Sequence, residues 1–338
     1  MFSLREKCLY VDDLDLWIDS MRPRSRCYVS HGHADHARAH DVVVTSTNNA
    51  AVCRLRFGRR APKGPSLSGE LEQRSVEYET HEFNEPWTVG DHELTLFSAG
   101  HVLGSSQLLI EGERGRFVYT GDFKLEPSFT AEAPEVKRCD TVLMECTYGR
   151  PQYVFPPRAE VAGAMVAWAR QALADGAVPI FFAYSLGKAQ EAIAILGRGG
   201  IGVTAHGAVA SMARVYEDAG VDMPPYARYD AHAFDGTSAL VWPPSGRKSL
   251  PLAVRGKAIR TAALTGWVIG KGTSAWHQTD AGFPLSDHAD FPSLLRYIEL
   301  AQPRKVLLNH GWRDFVYRLR RMGVDAEYLE ANVQLALF

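Results

Sequence analysis

The chain has 338 residues, 46% of them hydrophobic and 22% charged, with a formal net charge of −2. That length suggests two domains or one domain with a large insertion, and the near-neutral balance excludes a global basic field for non-specific nucleic-acid binding. The longest near-apolar run, Ala177 to Leu186, is too short to span a bilayer, and Met1 to Lys7 lacks signal-peptide character, so a cytoplasmic protein with no membrane attachment is expected.

In chain order, Leu9 to Asp19 reads as a strand-like stretch, and Arg26 to Ser30 as a buried strand. That strand delivers Ser30-His31-Gly32-His33-Ala34-Asp35-His36, three imidazoles and a carboxylate within six residues. So dense a donor set can ligate two divalent metals, and its chemistry suits zinc, manganese or iron rather than calcium. Val42 to Thr45 follows as a strand, and residues 54–75, basic and rich in Pro, Gly and Ser, read as an exposed loop. Strands resume at Leu94–Phe97, Ser106–Ile110, Phe117–Thr120 and Thr141–Glu145. A metal-competent residue follows or closes three of the apolar runs: His101, Asp122 and Glu145, with His310 after a later strand. Ligands at strand ends converge at one sheet edge, and glycines at 100, 121 and 311 allow sharp turns beside them.

After Pro151 the texture changes. Pro156-Pro157 opens an amphipathic helix to Asp175-Gly176, with Val161, Met165, Trp168 and Ala172 on one face. A buried strand over 178–183, a helix to Leu196-Gly197, a strand over 200–204 and a helix over 209–219 suggest a small parallel α/β domain. Residues 222–260 give no assignment, 261–270 read as a strand, and Leu285 to His288 precede a helix over 291–300. Ser185, Gly187 and Lys188 lie between strand and helix, where backbone N–H groups and a lysine can hold a phosphate. Three arginine and lysine groups (Arg54, Arg56, Arg59, Arg60 and Lys63; Arg247, Lys248, Arg255, Lys257 and Arg260; Arg313, Arg318, Arg320 and Arg321) read as solvated faces rather than phosphate tracks. The five cysteines form no CxxC pair and read as reduced packing thiols. His40, His81, His92 and His277 read as surface or core residues, and neither His206 nor His232 is assigned a role.

The order His31-x-His33-x-Asp35-His36, His101, Asp122 resembles the metallo-β-lactamase fold, an αββα sandwich with a dinuclear metal site at one edge. The resemblance implies His31, His33 and His101 on one metal, Asp35, His36 and His310 on the other, Asp122 as the bridge, and Asp19 orienting a ligand histidine. Glu145 in Met144-Glu145-Cys146-Thr147, His288 in Ser286-Asp287-His288-Ala289-Asp290 and His310 in Asn309-His310-Gly311 resemble the three β-CASP motifs. The fold class expected is therefore α/β, with a sandwich formed by residues 1–150 and 271–338 and an inserted α/β β-CASP domain over 151–270. Phe182 to Glu191 is similar to that family's strand-to-helix signature, which makes Ser185, Gly187 and Lys188 substrate contacts. The bacterial ligase-associated DNA exonucleases are the subgroup most similar.

What the resemblance implies is a nuclease with two divalent ions, zinc or manganese. It would cleave single-stranded DNA ends by attack of a metal-bridging hydroxide, with a DNA ligase and a helicase of a repair pathway as partners. Asp35, Asp122, Glu145 and His288 are its catalytic candidates: His288 as phosphate donor or general acid, Glu145 orienting His36 or His288. A β-CASP ribonuclease is the rival, since a histidine at the third motif is common in RNA-acting members. A small-molecule thioesterase or lactonase of the same fold leaves Glu145, His288 and the insertion without a role, and a silent scaffold leaves seven intact ligand positions without one.

Overall fold

Short runs of Val, Leu, Tyr and Thr, each stopped by Gly, Ser or Asp, favour strands along the first 150 residues. The computed structural model describes residues 2–6, 8–57, 76–250, 256–270 and 278–329. Arg59, Arg60, Lys63, Arg255 and His277 lie outside them. The chain divides into two compact units, one of residues 1–127, 132–150 and 291 onward, the other of Ser128–Ala131 and Pro151–Asp290.

In the first unit, β1 (Phe2–Arg5), β2 (Cys8–Val11), β3 (Leu16–Ile18), β4 (Arg26–Tyr28), β5 (Val42–Ser46) and β6 (Glu77–His81) form a sheet in chain order. A second sheet runs from β7 (Trp87–Val89) through β8 (His92–Ser98), β9 (Ser106–Gly112), β10 (Gly115–Tyr119) and β11 (Thr141–Cys146) to β18 (Lys305–Gly311) and β19 (Ala326–Tyr328). Leu9, Val11, Tyr28 and Val44 of one sheet pack on Leu94, Leu96, Leu108 and Ile110 of the other. Each such buried side chain contributes roughly 1.5–3 kcal/mol. Helix α1 (Thr47–Phe57) covers the outer face of the first sheet, Cys53 meeting Cys27 and Val43. On the second sheet, Tyr297 of α5 (Phe291–Ala301) packs on Phe123 and donates its hydroxyl to Gln107 Oε1 at 2.6 Å. Phe315 of α6 (Asp314–Arg321) meets Phe291 edge-on. The result is the αββα sandwich.

The second unit is one all-parallel sheet in the order β14-β13-β15-β12-β16-β17. Its strands are β12 (Val178–Phe182), β13 (Val203–Ala205), β14 (Ala227–Arg228), β15 (Ala239–Trp242), β16 (Ile259–Leu264) and β17 (Ala281–Phe283). Helices α2 (Arg158–Ala174), α3 (Lys188–Arg198) and α4 (Gly207–Asp218) lie on one face through Met165, Ile193 and Val209. Phe234 and Leu250 cover Ile180, Phe182 and Trp242 on the other.

Several boundaries differ from the sequence expectation. Residues 54–57 complete α1 instead of opening a loop, because Val52 and Cys53 anchor that helix in the core. The stretch from Leu9 to Asp19 is two strands split by a 3-10 turn, which ends on Asp15 at φ 47°. The strand expected over 261–270 stops at Leu264, where the Thr265 hydroxyl accepts the Trp267 N–H and starts a 3-10 turn. The second unit runs to Asp290 rather than 270, since β17 pairs with β16 in its sheet.

Candidate metal centre

The loop after β4 is fixed from behind by Asp19. Its Oδ1 accepts the Ser30 N–H at 2.7 Å, and its Oδ2 accepts the Ser30 hydroxyl at 2.6 Å, the Tyr119 hydroxyl at 2.8 Å and His36 Nδ1–H at 2.7 Å. Asp19 takes φ 43°, a left-handed turn that aspartate tolerates. Because the single Ser30 proton goes to Asp19, His31 Nδ1, 3.0 Å from Ser30 Oγ, must carry its own proton. One carboxylate thereby sets two tautomers, leaving a bare lone pair on Nε2 of both His31 and His36.

Those lone pairs face another carboxylate. Asp122 Oδ2 lies 3.6 Å from His31 Nε2, 3.4 Å from His36 Nε2 and 3.9 Å from His101 Nε2, and its Oδ1 lies 3.7 Å from His310 Nδ1. Neither Nε2 of His31 nor that of His36 has a hydrogen-bond partner, though both are buried. Acceptors aimed at one another in a buried cleft are stable only around a cation, so the donor set fits a metal. Burial and the neighbouring His36 and His101 push His31 well down, towards the neutral ligand form. Burial and His36 also lower the pKa of His310. For His36, burial opposes charge but Asp122 and Asp19 outweigh it and push the ring well up; a cation on Nε2 answers the same field.

Within the first unit two donor groups emerge among the described residues, each with ligand atoms within 4.8 Å of one another: His31, His33, His101 and Asp122, and Asp35, His36 and His310. His101 Nε2 and His33 Nδ1 approach to 2.9 Å in the first. All seven ligand positions singled out in the sequence are brought together in this one unit.

The strand ends explain the convergence. Gly121 takes φ 56°, and a Cβ there would sit 2.7 Å from Ser30 Oγ, so only glycine lets the end of β10 close on the serine relay. In the β11–β18 ladder Glu145 faces Asn309 and Cys146 faces Gly311, which leaves His310 as the extra residue of a bulge at φ 46°. Such a bulge re-aims a side chain, here towards Asp122. Glu145, 1% exposed, accepts the Phe123 N–H at 2.8 Å and the Thr147 hydroxyl, and so holds the loop that carries Asp122.

The remaining candidates belong to the second unit. His288 sits in a turn whose N–H goes to the Ser286 hydroxyl at 3.1 Å. Lys188, expected to hold a phosphate, is 5% exposed and pairs with Asp287 at 2.7 Å. Gly187 takes φ 85° at the start of α3, its N–H accepted by Gln190 Oε1 at 2.9 Å, and the Ser185 carbonyl accepts Gln190 Nε2–H at 3.0 Å. Sequence reasoning missed Ser30, Tyr119 and Arg56, whose guanidinium donates to the Gly32 carbonyl inside the histidine loop. Only the position of Ser30 beside His31 gave any signal.

Residues 19–181 match the family described as "Beta-lactamase superfamily domain", and residues 282–334 the one described as "Zn-dependent metallo-hydrolase RNA specificity domain". A "Probable DNA ligase" of Opitutus terrae is 38% identical over 331 residues, covering 97% of this chain and 31% of that protein. The "Endoribonuclease ysh1" of Aspergillus fumigatus is 28% identical over 192 residues, 50% of this chain and 22% of its own length. The "Probable RNase MJ4" of Methanocaldococcus jannaschii is 24% identical over 199 residues, 53% and 46% of the two. The chain therefore spans less than half the length of each of these relatives. A crystal structure of a protein of unknown function from Enterococcus faecalis superposes with a TM-score of 0.58 at 16% identity, over 84% of this chain and 75% of that one, and shares the fold.

Proposed function

From a chain that belongs to the metallo-β-lactamase superfamily, in its β-CASP branch of hydrolases, we propose a divalent-metal-dependent phosphodiesterase that degrades single-stranded DNA from an end. The observation that carries the hydrolase reading is the pair of donor groups joined through Asp122, each built from imidazoles and a carboxylate. Two divalent ions, zinc or manganese, bound there would neutralise charge on the phosphoryl oxygens and lower the pKa of water enough for attack at neutral pH. His31, His33 and His101 would hold one ion, Asp35, His36 and His310 the other, with Asp122 between them. The chain's own work is positional: Asp19 and Ser30 fix the tautomers, and Glu145 fixes the Asp122 loop. His288 takes the role of phosphate donor or general acid to the leaving oxygen, and Ser185 and Gly187 that of substrate-strand contacts.

DNA is favoured because a relative that matches 97% of this chain is named "Probable DNA ligase". A DNA ligase is accordingly the partner we assign, with a helicase of the same repair pathway, in the cytoplasm. Among the described residues no helix is long and apolar enough to cross a membrane, and all five cysteines are free thiols. The second reading, a ribonuclease, draws on the endoribonuclease relatives and on the RNA specificity described for residues 282–334. End-labelled single-stranded DNA and RNA of matched sequence, incubated with Mn²⁺ or Zn²⁺, separate the two. Shortening of the DNA with the RNA intact supports the first; the reverse supports the second.

A further inference from the structure

Helix α6 has two unlike faces. Phe315, Val316 and Leu319 are buried, whereas Tyr317 is 67% exposed and Met322 60%. Four-residue spacing places Arg313, Tyr317 and Arg321 in one row along the helix, with Arg318 and Met322 beside it. Asp314, the acidic residue of the helix, is paired with Arg150 at 3.1 Å and does not offset the row. Arg318 and Arg321, three residues apart, make no ion pair among the described residues. Like charges at that spacing repel, which favours an anionic partner over this face. The Arg313 guanidinium lies 5.3 Å from the ring centre of Tyr328 in β19.

Guanidiniums interleaved with an exposed aromatic ring complement a strand of nucleic acid in both of its parts, phosphates and bases. The helix begins four residues after His310, in the same unit as the two donor groups. We propose that this face of α6 is a docking track for the single strand cleaved at the metal centre, with Tyr317 stacked on a base and Arg318 and Arg321 on phosphates. The inference rests on the nuclease reading above and adds to it the surface that holds the substrate.

The test is fluorescence anisotropy of a labelled oligothymidylate with the full chain in EDTA, across a salt series. Tyr317→Ala is expected to weaken binding about fivefold to a hundredfold. Arg318→Gln with Arg321→Gln is expected to lower the salt slope by about 0.7 for each phosphate no longer neutralised. Arg114→Gln, on a turn where the side chain is 68% exposed, serves as the control for loss of charge alone and is expected to change neither. Wild-type affinity and slope in the α6 variants, or an equal drop in Arg114→Gln, would overturn the track, as would capture of an acidic protein through this face with strand binding intact. If the unaltered chain digests a strand while the α6 variants bind it normally, only the track fails. If it neither binds nor digests any strand, the nuclease reading fails with it.

Discussion

Asp19 carries more of the site than any ligand does. Removing its charge by Asp19→Asn frees the tautomers of His31 and His36 together, so metal affinity should fall about 10- to 100-fold in both donor groups. Ser30→Ala disturbs the His31 relay alone and should weaken one ion and spare the other. Competition titration with a chromogenic chelator distinguishes these; equal weakening of both ions in Ser30→Ala would contradict the relay. A second residue prediction concerns His40, fully buried, whose Nδ1 accepts the Arg24 N–H at 3.1 Å while Nε2 has no partner. Burial pushes its pKa down to about 4 from 6.5, so the unfolded chain takes up the proton first. Its contribution is complete above about pH 6.5 and is lost as pH falls towards 4, on the order of 3 kcal/mol across that window. Urea midpoints of wild type and His40→Asn at pH 7 and pH 4.5 test the sign, the gap shifting against the wild type at the lower pH. A gap that does not change with pH would contradict it. The positions proposed as ligands stand out in the sequence because four of them fall within six residues and the rest follow or close short apolar runs. Ser30, Tyr119 and Arg56 were not, because a hydroxyl or guanidinium becomes a positioning group only when a strand far away in sequence brings it to its acceptor.

Among the elements, the bulge in β18 and the start of α3 make opposite demands on single residues. Gly311 sits at φ 135°, and a Cβ there would lie 2.0 Å from the Cys146 carbonyl oxygen. Gly311→Ala should push β18 off β11, displace His310 and lower the number of bound ions from two to one, read by elemental analysis after dialysis. Retention of two ions would show that the bulge does not place His310. At α3 the sequence suggested a phosphate-binding lysine, since a glycine between strand and helix reads the same whether the next lysine points out or in. Its burial against Asp287 decides for the inward arrangement. Lys188→Met strands a buried carboxylate and should cost about 3–5 kcal/mol of stability, most of it recovered when Asp287→Leu is added. Unchanged melting of Lys188→Met with weakened strand binding would restore the phosphate role. α1 escaped notice for a related reason: its buried side is Asn49, Ala50, Val52 and Cys53, too small and too polar to announce an apolar stripe.

For the whole molecule, the division into a metal-bearing sandwich and an inserted parallel α/β unit could be read from the change of texture at Pro151. Its far boundary could not, because β17 is a three-residue strand containing Gly282, with no alternation to mark it. Function at this scale is expected to depend on Asp122, whose two oxygens face both donor groups. The most direct measurement compares wild type with Asp122→Ala on end-labelled single-stranded DNA, with Mn²⁺ or Zn²⁺ added after chelation and the fold monitored by circular dichroism. Wild type is expected to shorten the strand only when metal is returned, and Asp122→Ala to remain folded and inert. Cleavage by Asp122→Ala at the wild-type rate would contradict the bridging site. A wild-type chain inert to DNA and RNA alike, yet able to hydrolyse a thioester or lactone, would contradict the nuclease itself.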